Sequence, residues 1–159
     1  MDNILKLLQD NARISSAQIA VMTGKTEAEV EAAIKAYEKQ DVIKGYNALI
    51  NYDKLEQNHV TALIELRVTP KKEHGFDHVA KQVMAFPEVE SVYLMSGGYD
   101  LSVVVNGDTF QDVAIFVAKR LSTLDSVVST ATHFVLSRYK DRHTVMDNKI
   151  LDERSNSVL

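Results

Sequence analysis

The spacing of apolar side chains changes once along this chain. Up to about residue 41 they recur at helical intervals; from about residue 59 they alternate with a period of two, with helical stretches inserted. That change predicts an α+β chain: a helical head over residues 1–50, a polar linker at 51–58, a sheet-forming body at 59–140 and a tail at 141–159.

Three short helices are predicted in the head. Ile4, Leu5, Leu7 and Leu8 make a stripe that ends near Asn11. Ser16 is placed as the cap of a second helix whose Ile19, Ala20 and Met22 face the core, and Thr23-Gly24-Lys25 ends it because glycine accepts positive φ. Thr26 opens the third helix. With Glu29 three residues on it forms a capping box, in which each side chain satisfies an amide that the helix end leaves free. Val30, Ala33, Ile34 and Tyr37 continue the buried stripe. Two helices across a short glycine-bearing turn fit a helix-turn-helix, whose later helix can enter a DNA major groove. The same spacing also fits a plain three-helix bundle. Residues 42–50 then read as a strand and 51–58 as the linker.

In the body, Val60, Ala62, Ile64, Leu66 and Val68 point one way, and Thr61, Leu63, Glu65 and Arg67 the other, up to Pro70. Phe76, Val79, Ala80, Val83 and Met84 make a helix face closed by Pro87. Residues 89–95 and 99–105 read as strands around a Gly97-Gly98 turn. Asp108 or Thr109 caps a helix that runs to about Arg120, and residues 127–139 form the last strand. The order β-α-β-β-α-β is the ferredoxin-like unit, a four-stranded antiparallel sheet with two helices on one face. Leu63, Tyr93, Met95 and Phe134 are candidates for the uncovered face. A large open apolar face is unusual in a monomer, so at least a dimer is expected. The tail, counted from Lys140, holds four basic and four acidic residues without a period, and reads as a weakly ordered arm or a partner-swapped extension.

Composition narrows the classes. Of 159 residues, 45% are hydrophobic and 25% charged, the average of soluble globular chains. No apolar run is long enough to span a membrane, and the opening MDNILKLLQD has acid where a signal peptide has base. With no cysteine there is no disulfide, thiolate metal site or cysteine nucleophile, which is compatible with a reducing cytoplasm. The net charge of −4 supplies no long-range attraction to nucleic acid. His74 and His78 are four apart, but no third ligand stands at fixed spacing, so no metal or other cofactor is implied.

Local motifs sharpen the reading. Asn3-Ile4-Leu5 with the run from Leu8 to Ser15, Val42-Ile43-Lys44-Gly45-Tyr46, and Ser96-Gly97-Gly98-Tyr99-Asp100 occur in this order. Together with the two-part layout they resemble the Lrp/AsnC family of leucine-responsive, or feast/famine, transcription regulators over roughly residues 2–140. The resemblance implies a winged-type helix-turn-helix (three helices) joined to a ferredoxin-like βαββαβ RAM domain. It implies dimers that assemble further, for example to octamers, and that bind double-stranded operator DNA through their heads. It also implies an amino acid or related effector held at subunit interfaces, and no catalysis in most members.

On that reading, Lys25, Thr26, Ala28 and Lys35 are candidate DNA contacts, with Ser15 and Ser16 as phosphate donors. The head carries six basic against seven acidic side chains, a net −1, and its third helix holds Glu27, Glu29 and Glu31. Lower DNA affinity and a steeper dependence on assembly are therefore expected. Glu29 is explained by capping, Glu31 by a solvated face, and Glu27 by acceptance from cytosine N4. For the effector, the Gly97-Gly98 amides can hold a carboxylate and Asp100, beside Tyr99, can accept from an α-ammonium group. Leu94 or Met95 would read the side chain, while Thr130, Thr132 and Phe134 are carried over from the family. The same residues also fit a tight turn in which the aspartate makes a local hydrogen bond. Two other classes share the architecture: an enzyme resembling siroheme decarboxylases, with His133 and Arg138 in catalytic roles, and an assembly-only partner whose acidic heads no longer bind DNA.

Overall fold

The structure is a computed structural model that describes residues 2–70 and 75–146. It divides into two compact units between Ile50 and Asn51.

In the head, α1 (Asn3–Asp10), α2 (Ser16–Thr23) and α3 (Glu27–Lys39) pack Ile4, Ile19, Ala20 and Val30 into a small core, with Leu7, Leu8, Ile14, Ala33 and Ile34 around it. Burial of a large aliphatic side chain contributes about 1.5–3 kcal/mol, so a core this small leaves helix ends an unusually large share of the stability. All three helices have side-chain N-caps. Asp2 caps α1, Ser15 caps α2 in a box with Gln18, and Thr26 caps α3 in a box with Glu29. The cap of α2 is thus Ser15 rather than Ser16, because the Ser15 backbone is extended while Ser16 is already helical. Gly24 ends α2 in the left-handed region at φ 67°, as expected. Met22 is exposed instead of packed, since Ile19 and Ala20 alone fill the side that faces the core. Residues 42–50 form no strand: the amides of Val42 and Ile43 fold back onto the Tyr37 carbonyl, and no described strand lies beside the segment to complete a ladder.

The second unit begins with the segment expected to be a linker. Asn51 caps a single 3-10 turn (Tyr52–Lys54), its amide nitrogen Nδ2 donates to the Met146 carbonyl at 3.1 Å, and Tyr52 stacks on His59 at 3.8 Å. The sheet follows: β1 (Val60–Val68), β2 (Val89–Leu94), β3 (Leu101–Gly107) and β4 (Val127–Phe134), antiparallel throughout in the order β2-β3-β1-β4. Helix α4 (Asp77–Met84) and helix α5 (Phe110–Phe116), which continues as a π-helical turn (Val117–Leu121), cover one face. The core there joins Ala62, Ile64, Leu66 and Val68 to Val103, Val105, Val79, Val83, Val113 and Leu121. Thr109, not Asp108, caps α5. Gly107 lets the β3–α5 corner close, since a Cβ there would meet Val113 Cγ2 at 2.9 Å.

Several boundaries shift for one reason: a strand ends where its neighbour stops pairing. β2 stops at Leu94 and β3 begins at Leu101, which leaves Met95, Tyr99 and Asp100 in the turn. β4 stops at Phe134, not Tyr139; the Val135 amide still donates to the Thr61 carbonyl, but the chain then leaves the edge of β1. The chain then makes a small hairpin of β5 (Lys140–Asp141) and β6 (Thr144–Val145), where a featureless tail was expected. Met84 is exposed at the end of α4. Residues 147–159 and His74 lie outside the described residues.

Candidate functional site

In the head the candidate contacts fall into two groups. The hydroxyls of Ser15 and Thr26 are occupied as caps: Ser15 Oγ accepts the Gln18 amide at 3.2 Å, and Thr26 Oγ1 accepts the Glu29 amide at 3.3 Å. Thr26 Oγ1 also donates to Glu29 Oε2 at 2.8 Å, and the Thr26 amide donates to the same oxygen at 2.8 Å. Those bonds, led by the Thr26 amide, hold the Glu29 carboxyl below its usual range. Lys25, Ala28 and Lys35 are exposed and Ser16 is half-buried; among the described residues no side-chain hydrogen bond or ion pair holds them. They remain available to a ligand. Lys25 sits near the carboxylates of Asp2 and Glu29 and stabilises both.

In the sheet unit, the turn between β2 and β3 is built by Asp100. Its amide donates to the Leu66 carbonyl at 2.9 Å, its carbonyl accepts the Met95 amide at 2.8 Å, and its Oδ2 accepts the Val68 amide at 2.8 Å. The aspartate side chain therefore has a structural role, but its bond reaches across to β1 instead of closing the turn locally, and among the described residues its second carboxylate oxygen has no hydrogen bond. Among the described residues the amides of Gly97, Gly98 and Tyr99 have no acceptor. Leu94 and Met95 beside them are exposed.

Thr130, Thr132 and Phe134 lie elsewhere in the same copy. Register places them opposite Leu66, Ile64 and Ala62, on the helix side of the edge strand β4, with β1 between them and Asp100, whose amide bonds to the Leu66 carbonyl. One intervening strand at about 4.8 Å spacing on either side separates the two groups. Thr130 Oγ1 is 3.4 Å from Ser122 Oγ, and Phe134 packs edge-to-face on Phe110 with centroids 4.9 Å apart. Asp100 and Thr130 thus flank the same β1 residue, Leu66, from its two sides.

Phe134 is thus on the covered face, not the open one, because alternation along β4 puts His133 outward. The open face carries Leu63, Glu65 and Arg67 of β1, Ser102 and Val104 of β3, Tyr93 of β2, and Ala131 and His133 of β4. Leu63 and Tyr93 are 43% and 55% exposed, large values for apolar side chains in mid-sheet. His133 Nε2 lies 3.4 Å from Glu65 Oε1.

Sequence reading missed a polar chain across one end of the sheet. Arg138 Nη2 donates to Thr61 Oγ1 at 3.3 Å, Thr61 Oγ1 donates to Asn106 Oδ1 at 2.9 Å, and Asn106 Nδ2 donates to Glu90 Oε2 at 2.7 Å. Arg138 also pairs with Asp141 at 3.5 Å. The only signal in the sequence is a threonine and an asparagine at facing strand positions, which register alone brings together. His133 and Arg138, the residues offered for tetrapyrrole chemistry, are accordingly partnered within the sheet unit.

A three-helix head with a capped, exposed third helix, followed by a β-α-β-β-α-β body, defines a two-part protein of the DNA-binding, ligand-sensing class. Comparison with known proteins bears this out. Residues 3–44 match a family model described as winged helix-turn-helix DNA-binding, and residues 61–145 match the Lrp/AsnC ligand binding domain. The chain belongs to the Lrp/AsnC family of transcription regulators. It is 49% identical over 152 residues to the HTH-type transcriptional regulator YugG of Bacillus subtilis, covering 95% of this chain and 92% of that one. It is 28% identical to the proline dehydrogenase transcriptional activator of Rhodobacter capsulatus, over 89% of this chain and 91% of the other. Among solved structures, AsnC of E. coli shares the fold with a TM-score of 0.70 at 21% identity, covering 92% and 99% of the two chains. The regulator NMB0573 of Neisseria meningitidis, solved as a complex with L-Met, has a TM-score of 0.73 at 21% identity, covering 95% and 99%. These relatives are named as regulators and not as enzymes, which removes the decarboxylase alternative. Among the described residues no helix is long and apolar enough to cross a membrane.

Proposed function

We propose that this chain is a cytoplasmic, amino-acid-responsive regulator that binds operator DNA through paired heads and senses its effector between subunits. The observation that carries the second half is the separation of the effector candidates. Among the described residues the amides of Gly97, Gly98 and Tyr99 are free to suit a carboxylate and one oxygen of Asp100 to suit an ammonium group, while Thr130, Thr132 and Phe134 lie on β4, on the other side of β1. On this reading a second copy completes the pocket. Leu63 and Tyr93 on the open face supply the reason for one to dock, since burying about 100 Å² of apolar surface contributes roughly 2.5 kcal/mol. An octamer would follow from further pairing of such dimers, and ligand binding at those contacts would reset the spacing of the heads. L-Met in the Neisseria protein supports an amino acid as the ligand class.

For DNA, Lys25, Ala28 and Lys35 with Ser16 form the contact set, and Ser15 and Thr26 hold the helix ends that present it. The net charge of the head is −1, so each head binds weakly and pairing raises the effective concentration of the second. A low-salt gel shift on the chain's own promoter region tests the reading, with retardation expected at micromolar protein and lost as salt rises. Absence of any shift overturns operator binding and favours the assembly-only partner, which the exposed Glu27 and Glu31 would suit. Calorimetry with a panel of amino acids tests the sensor; no heat from any of them overturns it.

A further inference from the structure

The face that α3 turns away from its core is set by geometry. Val30 is fully buried and Ile34 packs beside it. With about 3.6 residues per turn, Ala28, Ala32 and Lys35 stand on the opposite side and Glu31 at its edge, about 100° round from Val30, and all four are exposed. Glu29 is excluded from this face by its hydrogen bonds to Thr26. Glu31 has no hydrogen bond or ion pair among the described residues, not even with Lys35 one turn on. Ala28 and Ala32 beside it leave nothing tall enough to hold the helix backbone away from a surface.

We propose that Glu31 is a specificity residue that selects a cytosine in each operator half-site by accepting its N4 amino hydrogen in the major groove. The inference rests on operator binding by α3. A helix of about 10–12 Å diameter fills a groove about 12 Å wide, so a side chain on its outward face cannot remain in bulk solvent. Inside the groove a carboxylate has no partner on the phosphates, which repel it, nor on guanine N7 and O6 or thymine O4, which are acceptors themselves. Only the exocyclic amines of cytosine and adenine donate there, and the carboxylate–cytosine contact is the geometry that matches one acceptor group. Without that bond the desolvated charge opposes binding. Glu31 therefore acts by penalising wrong sequences as much as by favouring the right one. The head's unusual acidity becomes a filter: low affinity for DNA in general, retained affinity where the donor is present. The alanines fit the same role, since short methyls allow close approach and pack on thymine methyl groups.

The test uses the full-length protein and a randomised duplex pool, comparing wild type, Glu31→Ala and Glu31→Gln. Glu31 is exposed and outside the cap, so both variants are expected to keep the wild-type circular dichroism. Wild type should enrich cytosine at one position of each half-site, and Glu31→Ala should lose preference at that position alone. Replacing that base by N4-methylcytosine, whose methyl group takes the place of the groove-facing hydrogen, should weaken wild type about tenfold and leave Glu31→Ala unchanged. The proposal is overturned if Glu31→Ala binds every duplex more tightly by a common factor and keeps the wild-type base preference, for then the carboxylate only repels phosphates. A wild-type protein that retains no duplex overturns operator binding itself, and the inference with it.

Discussion

The carboxylate of Asp100 accepts the backbone amide of Val68 at 2.8 Å, tying the turn before β3 to the last residue of β1. Val68 lies beyond Leu66, the last β1 residue that β3 pairs, so its amide has no ladder partner on that side and would otherwise be orphaned near the core. Asp100→Ala is therefore expected to destabilise the ligand-free protein by about 1–3 kcal/mol, the cost of an unsatisfied buried donor. Asp100→Asn, which keeps an acceptor, should recover most of it. Urea unfolding without any amino acid present is the check. Identical midpoints for wild type and Asp100→Ala would show that the bond carries no stability and leave ligand binding as the residue's sole role.

Gly107 is a packing glycine. A methyl group there would lie 2.9 Å from Val113 Cγ2, and Val113 is itself 1% exposed with little room to move. Gly107→Ala should cost about 1–3 kcal/mol through overpacking, whereas Gly45→Ala, with open space around it, should stay within about 0.5 kcal/mol. Thermal unfolding of the pair separates sterics from backbone entropy.

The head should be sensitive to acid. The Tyr37 hydroxyl, followed by the Ile4 amide, holds the Asp2 carboxyl below its ordinary 3.8, and the Thr26 amide holds that of Glu29 below its ordinary 4.5. For both, the folded head prefers the anion, so their stabilisation is complete above the unfolded values and is lost as pH falls through the lowered ones. Helical signal from the head should be flat down to about pH 5 and then lose stability below 4.5. The same Asp2 contact raises the Tyr37 hydroxyl above 10.0, and burial followed by Glu38 raises that of Tyr46. Those contributions are present below 10.0 and vanish as pH climbs through the raised values. Tyr37→Phe should shrink both limbs while leaving the Glu29 part of the acid limb; unchanged limbs would show that the Asp2–Tyr37 bond is not made in solution.

Self-association is expected to depend on the open sheet face. Leu63→Glu places a charge among Glu65, Tyr93 and His133, where docking of a second copy would have to desolvate it. Sedimentation at micromolar concentration should show wild type as a dimer or larger and Leu63→Glu shifted towards monomer, with near-ultraviolet circular dichroism unchanged. A wild-type monomer at that concentration would remove the docking role from this face and, with it, the interfacial effector pocket.

Much of this protein could be read from its sequence, because the deciding interactions there are local. The Thr26–Glu29 box lies within one turn of helix, the positive φ at Gly24 belongs to one residue, and the alternation from Val60 to Val68 follows from the pleat of a single strand. Local chemistry misled where two neighbours offered the same group, as with Ser15 and Ser16, and where a helix stripe ran past its core, as at Met22 and Met84; between Asp108 and Thr109 backbone conformation made the choice.

Long-range pairing decided the remainder. Strand ends at Leu94 and Leu101 depend on where the adjacent strand stops, and residues 42–50, β-like in composition, form no strand for want of a neighbour among the described residues. The outward turn of His133 and inward turn of Phe134 is a matter of register, which a one-residue slip would reverse. The chain by itself thus determined which segments are helical or extended and that there are two units. Only the tertiary structure decided that Asp100 is held by Val68 and that the effector candidates lie on the two sides of β1, because hydrogen bonds between residues far apart in sequence exist only once the strands are in register.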